Sequence, residues 1–446
     1  MGRDAGSARG DAWSVVGRRG SIQEGETGVR MGGRARPRVG MILYGDLTYD
    51  SRVRKEARTL ALGAYDVSIV CLAADAEPRD LPGNVKVLVR HAVDPSTLPG
   101  GANPFRSAAS SRLGSLGRGV AWLLAYAGNL RAWGRSAIAA CGPVDIWHAH
   151  DLTGLAALAP VVGKDVPIVY DSHELYLETG TASRLPKPAR MLLRHYERHL
   201  VSSASAVITV NVEIAEVLRH RYQPRRLEVV HNCPDRWSPP KVRPDLIREA
   251  TGIPGHASVV LYHGSLAVGR GIERLIDALD LPGLENAHLV LLGFGPRRDA
   301  YSAAARDPRW RGRLHVLDPV APAALISWVA SADVGAMPNP GSTLNDRFSS
   351  PNKLFECFAA GTPVLASDFP TMRRIVMDNP GGALGTVCDP TRVEYVATGL
   401  RSILELDPAG AASIRRRCLA AAQSRWNWQM ESVRLTGLYE DLARLK

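Results

Sequence analysis

From residue 37 onwards, short apolar runs alternate with longer segments in which apolar residues recur at helical spacing. The short runs predict β-strands, and residues 51–63 predict a helix because four apolar residues share one of its faces. Runs without polar alternation are typical of parallel strands that helices cover on both faces. The predicted strands of the first half are residues 39–44, 67–72, 85–89, 146–150, 167–171 and 206–210.

The same alternation restarts after residues 233–244, a proline-rich, charged stretch that predicts a linker. The fold class is therefore α/β, with two doubly wound parallel sheets. The strands predicted beyond the linker are residues 259–263, 288–292, 314–317, 334–338 and 363–367, and residues 426–445 predict an amphipathic helix. The predicted divisions are a disordered basic extension (1–36), a first domain (37–238), a second domain (239–425) and a closing helix (426–446).

Composition agrees with globular domains and limits the classes of partner. The chain has 446 residues, 45% of them hydrophobic and 22% charged, which excludes wholesale disorder. Its formal net charge is +11, to which residues 1–38 contribute eight arginines against four acidic residues. Such an excess fits an anionic ligand or a membrane surface. We exclude nucleic acid, because no basic motif is interleaved with aromatic residues.

The cysteines and the longest apolar runs indicate a compartment. The six cysteines form no C-x-x-C pair, and no histidine cluster has the spacing of a zinc site. We therefore expect a reduced, cytoplasmic protein without a metal or cofactor. No apolar run reaches the ~18 residues of a membrane span. Residues 187–198 combine a basic face with an apolar stripe, which either lies peripherally on the inner face of a membrane or packs against the core.

The most informative stretch is SSPNKLFECFAAGTPVLASD, at residues 349–368. Ser350 is a good N-cap and Pro351 suits a first helical position, so we expect a helix over residues 351–360. The N-terminus of this helix and Lys353 form an anion site that suits a diphosphate. Glu356 lies one turn further and can accept both hydroxyls of a ribose. The alternative is a helix packed on a sheet, with both charged side chains solvated.

This stretch resembles the donor-binding signature of glycosyltransferase family 4, whose members have the GT-B fold. The resemblance extends over about residues 37–445, and the supporting segments are residues 50–60, 147–152, 169–175, 231–234, 263–273 and 293–296. It implies a retaining glycosyltransferase that uses a nucleotide sugar of the UDP or GDP type. It also implies two Rossmann-like domains that face a cleft, and a C-terminal helix that crosses back to the first domain.

The resemblance, together with the chemistry of the residues, assigns the candidate site residues. The predicted catalytic residues are His173, Arg270 and Lys353. The predicted donor-binding residues are Gly264, Ser265, Gly293, Gly295, Val320, Asn352, Leu354 and Glu356. The predicted acceptor-side residues are Gly45, Arg52, His150, Asp151 and Glu174.

Two histidines near strand ends have alternative interpretations. His173 follows a strand whose carboxyl end faces the ligand crevice, and the resemblance gives it the family's active-site position near the donor sugar. The alternative for His173 is a hydrogen bond to a neighbouring loop. We expect His150 to line the cleft, whereas His148 either lines it or faces the helices that cover the sheet.

The sequence departs from the family pattern at two positions. Many members have Arg where this chain has Ser265, so we expect Lys353 to replace one phosphate contact. Phe348 occupies the place of a Glu that usually touches the donor sugar, and its role passes to Asn345, Asp346 or backbone N–H groups. We interpret these changes as a variant of the site.

A basic cluster at Arg52, Arg54 and Lys55 lies in the first turn of a predicted helix, where the helix dipole disfavours cations. It binds an anionic acceptor such as a lipid phosphate, or it forms a solvated face. The partners predicted from the sequence are thus a nucleotide sugar and a hydroxyl acceptor, with lipid linkage open. The rival functions are another GT-B enzyme, such as a nucleotide-sugar epimerase, and a catalytically silent subunit that binds sugar or lipid.

Overall fold

The first domain contains a seven-stranded, fully parallel sheet with the order β3-β2-β1-β4-β5-β6-β7. Strands β4 and β5 are buried along their whole length, which explains their uninterrupted apolar character. The short β7 was not predicted. The strands are β1 (Arg38–Asp46), β2 (Asp66–Ala73), β3 (Val85–Val89), β4 (Ile146–His150), β5 (Ile168–Ser172), β6 (Ala206–Thr209) and β7 (Leu227–Val229).

This computed structural model describes residues 36–75, 80–93, 112–163, 165–180, 182–310 and 312–444, with the side chains of residues 112–120 left out. Apart from Arg36, the predicted N-terminal extension lies outside the described residues. The first sheet is covered on both faces by α1 (Ser51–Leu62), α2 (Arg112–Cys141), α3 (Asp151–Leu158), α4 (Lys187–Ser203) and α5 (Val212–Tyr222).

The second domain has six parallel strands in the order β10-β9-β8-β11-β12-β13, of which β13 was not predicted. The strands are β8 (Ser258–Ser265), β9 (Ala287–Phe294), β10 (Leu314–Leu317), β11 (Val334–Met337), β12 (Val364–Ser367) and β13 (Gly385–Cys388). The helices are α6 (Leu246–Thr251), α7 (Ile272–Ala278), α8 (Arg298–Ala304), α9 (Pro322–Ala330), α10 (Leu344–Phe348), α11 (Asn352–Ala359), α12 (Pro370–Val376), α13 (Val393–Leu404) and α14 (Pro408–Ser424).

The closing helix α15 (Trp428–Arg444) begins two residues later than predicted and packs on the first domain. Trp426 is buried in the core of the second domain, whereas Trp428 is buried in that of the first. The Trp428 indole donates a hydrogen bond to Thr59 on α1, at 2.8 Å. The predicted return of the C-terminal helix to the first domain is therefore confirmed.

The surface of α4 contradicts one of the two predicted alternatives, the packing of its apolar stripe against the core. Met191 and Leu192 are exposed, so they do not form a core-facing stripe. Arg190 donates a hydrogen bond to Glu178 at 2.6 Å, which reduces the free charge on this helix. Contact with a membrane surface stays a prediction. In the described part of the chain, every helix is too short or too polar to cross a bilayer.

Candidate functional site

A cavity of about 540 Å³ lies between the two domains, where the carboxyl ends of both sheets meet. The first domain contributes the loops that follow β1, β5, β6 and β7, and the second contributes those that follow β8 and β11. The lining residues are Asp46, Tyr49, Asp50, Ser51, Arg52, His173, Glu174, Val210, Ile214, Asn232, Arg270, Asn339, Asn345, Asp346, Ser349, Ser350, Pro351 and Asn352.

The start of α11 faces this cavity, as the sequence predicts, but its cap differs. Pro351 is the N-cap residue, with an extended backbone, and the helix begins at Asn352. The prediction of Ser350 as N-cap is wrong, because its hydroxyl lies 3.1 Å from Nδ2 of Asn211 in the other domain. No side chain caps α11, so the first N–H groups of the helix stay available to a ligand.

Lys353 lies in the first turn of α11 and is half-buried. Its Nζ lies 3.7 Å from the ring centroid of Tyr262, a cation–π contact. If Gly264 had a Cβ, that atom would lie 3.8 Å from the same Nζ. Burial and then the charge of Arg270 lower the pKa of Lys353 to about 7. Arg270 is exposed, and no described residue forms an ion pair or hydrogen bond with it.

Glu356 is held by a neighbouring histidine. Nε2 of His263 lies 2.8 Å from Oε2 of Glu356. Burial would raise the pKa of Glu356, but the hydrogen bond from His263 lowers it, so the side chain is a carboxylate. Lys353 and Glu356 are half-buried and each contacts a neighbouring side chain, so neither is freely solvated.

Three predicted donor-site glycines allow the backbone of β8 and β9 to approach closely. A Cβ on Gly293 would lie 2.0 Å from the carbonyl oxygen of Gly264. A Cβ on Gly295 would lie 2.5 Å from the carbonyl oxygen of Leu266. Side chains cannot be accommodated at these positions, so the geometry of the two strand ends depends on glycine.

Three other donor-side predictions have different positions. Leu354 is fully buried in the core, and its N–H donates to the carbonyl oxygen of Pro351, so it holds α11 in place and does not face a ligand. Val320 packs against the same core and is not among the cavity-lining residues. Ser265 is exposed, and its carbonyl oxygen accepts a hydrogen bond from Tyr262.

His173 lies between two carboxylates at the cavity wall. Its Nε2 is 3.0 Å from Oδ2 of Asp171, and its Nδ1 is 3.5 Å from Oδ2 of Asp151. Burial alone would lower the pKa of His173, but Asp151 and then Asp171 raise it to about 10. His173 is therefore an imidazolium whose charge the two carboxylates offset.

Arg52 lines the cavity but is buried, with 2% of its surface exposed, so the solvated alternative is wrong and its acceptor-side role stays a prediction. Its guanidinium contacts both oxygens of Asp171 and the carbonyl oxygen of Val230. The remaining members of the cluster are also engaged. Arg54 pairs with Asp80, and Nζ of Lys55 bonds to the carbonyl oxygen of Cys233 at 2.5 Å. Burial lowers the pKa of Lys55 to about 8.

His150 is fully buried, so the prediction that it lines the cleft is wrong. Its Nδ1 lies 3.3 Å from Nε2 of His173, which makes it a support for that residue. His148 takes its second alternative and faces a covering helix, since Nδ1 accepts a hydrogen bond from Tyr439 of α15 at 2.8 Å. Burial lowers the pKa of both His148 and His150, so both are neutral.

One buried group has the spacing of metal ligands: Glu56, His148, His150 and Asp171 each have a ligand atom within 4.8 Å of the others. Arg52 already lies among them, with Nε 3.1 Å from Oε1 of Glu56 and 2.7 Å from Oδ2 of Asp171. Burial and then the charge of Asp171 raise the pKa of Glu56 to about 8. A metal ion bound by these residues would lie in contact with the positively charged guanidinium of Arg52, which would repel it. These residues therefore do not fit a metal ion.

The other acceptor-side predictions differ in how closely they approach the cavity. Glu174 lines it, and burial followed by the charge of Asp151 raises the pKa of Glu174. Asp151 begins α3 with a φ of 56°, a left-handed conformation that is uncommon outside glycine. Gly45 is half-buried at the end of β1 and is not among the lining residues.

Phe348, at the place of the missing Glu, packs against the core of the first domain. Of its proposed replacements, Asn345 and Asp346 both line the cavity. Oδ1 of Asn345 accepts a hydrogen bond from the N–H of Leu175 at 2.9 Å, and Asp346 caps α10. The loop therefore joins the domains through backbone and amide contacts.

Sequence reasoning missed Asp171, which contacts His173, and also Glu56 and Tyr439, which contact the neighbouring His148. Asp171 is the next-to-last residue of β5 and lies two positions before His173, so strand alternation could have indicated it. Glu56 and Tyr439 lie on helices that meet β4 only in the fold, and their spacing carries no signal.

Comparisons with known proteins cover both domains. Residues 50–236 match the family model described as Glycosyltransferase Family 4. Residues 257–405 match the model described as Glycosyl transferases group 1.

The relatives that align with part of the chain include two enzymes that act on inositol-containing acceptors by name. A D-inositol 3-phosphate glycosyltransferase of Xylanimonas cellulosilytica is 28% identical over 67% of this chain and 72% of its own length. A phosphatidyl-myo-inositol mannosyltransferase of Mycobacterium tuberculosis is 31% identical over 43% of this chain, so the alignment spans about half of that relative (49%).

Solved structures that share the fold include the following two. Sucrose-phosphate synthase from Thermosynechococcus elongatus has a TM-score of 0.66 at 17% identity, over 92% of this chain and 100% of that one. HepE of Anabaena in complex with UDP has a TM-score of 0.64 at 16% identity, over 91% and 100%. At these identities the likeness shows the fold alone, which agrees with the two parallel sheets and the returning helix.

Proposed function

We propose that this chain, a glycosyltransferase with the GT-B fold, moves a sugar from a nucleoside-diphosphate sugar to a hydroxyl acceptor and retains the anomeric configuration. The second domain binds the donor, and the first binds the acceptor. The observation that carries this proposal is the start of α11, which faces the cavity between the domains next to Arg270. Free N–H groups, a helix dipole and two cationic side chains suit a diphosphate.

The charges support a mechanism in which the diphosphate leaves first. Arg270, Lys353 and the α11 N-terminus stabilise the negative charge that develops on the leaving group. The acceptor hydroxyl attacks from the leaving-group side, and an oxygen of the diphosphate takes its proton. The positive charge for the leaving group comes from the protein's own side chains, so the proposal includes no metal or cofactor.

His173 orients the donor sugar in this mechanism by a hydrogen bond. Its charge is offset by Asp171 and Asp151, so it brings no net positive charge next to a sugar that is losing electrons. Glu356, held as a carboxylate by His263, accepts the ribose hydroxyls. Closure of the domains would limit attack by water.

The test begins with the purified protein, UDP-glucose and GDP-mannose. Mass spectrometry detects sugar transfer to candidate acceptors, and proton NMR reports the anomeric configuration of the product. Lys353→Ala and Arg270→Ala should each lower transfer by roughly 10²-fold, whereas Lys86→Ala on the exposed side of β3 should not. Wild-type rates in both site variants, or an inverted product, would contradict the proposal.

Two rival functions give different results in the same assays. An epimerase converts the donor without an added acceptor. A silent subunit binds UDP in calorimetry without transfer or hydrolysis. A cytoplasmic location and a peripheral membrane contact stay predictions from the sequence.

A further inference from the structure

The interdomain cavity has an uneven distribution of charge, which bears on the chemistry of the acceptor. Its cations lie where the second domain contributes Arg270 and the start of α11. Four carboxylates line the cavity. Asp46, Asp50 and Glu174 belong to the first domain, and Asp346 belongs to the second. Within the described ranges, none of the four forms an ion pair with a basic side chain.

Each carboxylate uses one oxygen in a local hydrogen bond. Oδ1 of Asp46 accepts from Thr48, and Oδ1 of Asp50 accepts from the first turn of α1. Oε1 of Glu174 accepts from Thr179 at 3.0 Å. No described residue donates a hydrogen bond to the second oxygen of these carboxylates, so that oxygen can accept one from a ligand.

The cations of the first domain do not offset this charge. The guanidinium of Arg52 is buried against Asp171, and the imidazolium of His173 lies between Asp171 and Asp151. Arg54 and Lys55 point to other partners. The acceptor side of the cavity is therefore acidic, in contrast to the basic cluster that the sequence predicts there.

Two unpartnered amides give an independent indication. Asn339 is only 7% exposed, and its Oδ1 has no hydrogen-bond partner among the described residues. Oδ1 of Asn232 is buried and unpartnered in the same way. Both residues line the cavity. A buried carbonyl oxygen needs a donor, which a hydroxyl or amino group supplies and a phosphate dianion does not.

We infer that the acceptor is a polyol or amino-polyol that carries no phosphate near its reacting hydroxyl, and that Asp50 and Glu174 accept hydrogen bonds from its donor groups. This inference rests on the proposed function. A phosphate would add ~1.5 to 2 negative charges next to four unpaired carboxylates. The names of the two relatives specify inositols that carry a phosphate, so likeness alone would predict the opposite.

The experiment uses acceptors in matched pairs: myo-inositol with myo-inositol 3-phosphate, glucose with glucose 6-phosphate, and glucosamine with glucosamine 6-phosphate. We expect transfer to unphosphorylated members, with kcat/KM at least about tenfold above that of their phosphorylated partners. Equal or higher rates with the phosphorylated members, or no transfer to any unphosphorylated member, would overturn the inference.

The double variant Asp50→Asn, Glu174→Gln tests the carboxylates themselves. Asn keeps the cap of α1, so the fold is retained. We expect the preference for unphosphorylated acceptors to fall at least about threefold, while the affinity for UDP is unchanged. Asp75→Asn, on the exposed pair with Arg54, is the control. An unchanged preference in the double variant would overturn the assignment.

Two measurements without an acceptor, nucleotide binding and donor hydrolysis, separate a failure of the proposed function from a failure of the inference about the acceptor. If neither UDP nor GDP binds and neither UDP-glucose nor GDP-mannose is hydrolysed, the proposed function fails. If binding and hydrolysis are both present and the phosphorylated acceptors are preferred, only the inference about the acceptor fails.

Discussion

The guanidinium of Arg52 contacts both oxygens of the Asp171 carboxylate, with Nε 2.7 Å from Oδ2 and Nη2 2.8 Å from Oδ1. Burial would raise the pKa of Asp171, but Arg52 and then His173 hold it well below its ordinary value. A buried pair of this kind makes each partner depend on the other, because neither charge can reach water.

Asp171→Asn should therefore destabilise the protein by up to about 3–5 kcal/mol, since Arg52 would lose its bidentate partner and keep only Glu56, whose pKa burial raises to about 8. The midpoint of urea unfolding measures the change. Asp75→Asn breaks an exposed pair with Arg54 and should cost ~1 kcal/mol or less. Equal midpoints for the two variants would contradict the importance of the buried pair.

The affinity for a nucleotide sugar should decrease as the pH rises through about 7. The pKa of Lys353 is lowered to about 7 by burial and Arg270, so the free protein loses this charge above that pH. A bound diphosphate favours the ammonium form, hence binding takes up a proton at higher pH.

Calorimetry with UDP-glucose between pH 6 and 9, in buffers of different ionisation enthalpy, measures this proton uptake. The diphosphate of UDP-glucose is a diester and does not titrate in that range, so the signal reports on the protein. Lys353→Arg should remove the pH dependence. Proton uptake that persists in this variant would assign the titration to another group.

Gly293→Ala should disrupt the donor side of the site. Its Cβ would lie 2.0 Å from the carbonyl oxygen of Gly264, a backbone atom that cannot move without shifting β8. We expect weaker binding of UDP and a lower melting temperature. Gly255→Ala is the control, because nothing lies within 4 Å of its Cβ position. A Gly293→Ala protein that behaves like this control would contradict the role of the strand ends.

Glu356→Gln should weaken UDP-glucose binding by about tenfold, because a hydrogen bond to a charged group is lost and the bond to His263 is rearranged. Glu249→Gln, on the exposed side of α6, should leave affinity unchanged. Calorimetry gives both constants. Equal affinities for the variants would argue against the ribose role of Glu356.

Tyr439→Phe should lower stability by ~1 kcal/mol, because the buried Nδ1 of His148 would lose its donor. The exposed Tyr395, changed to Phe, provides the matched comparison. Thermal unfolding measures both. No difference between them would mean that the contact of α15 with β4 contributes little.

The sequence predicted what depends on local pattern. Parallel strands buried on both faces have continuous apolar runs, so all eleven predicted strands lie within two residues of their observed bounds. The short β7 and β13 are only partly buried and lack such runs, so they were missed. The site at α11 could be predicted because its stop signals and its charged residues are contiguous.

The acceptor side could not be predicted in the same way. Arg52 pairs with Asp171 across 119 positions, and this contact depends on how α1 packs against β5. From the sequence, Arg52 has the same appearance as a solvated or ligand-binding residue. His150 ends β4 and His173 directly follows the neighbouring β5, but only His173 lines the cavity.

The short stretch between the buried Trp426 and Trp428 also limits how the two domains can move. The N–H of Trp428 donates to the carbonyl oxygen of Pro234, so both chain crossings run side by side. Asn427, fully buried, fixes the turn through hydrogen bonds to Ala422 and Gln423. A rotation of one domain towards the other that leaves both indoles buried would pivot about this paired crossing.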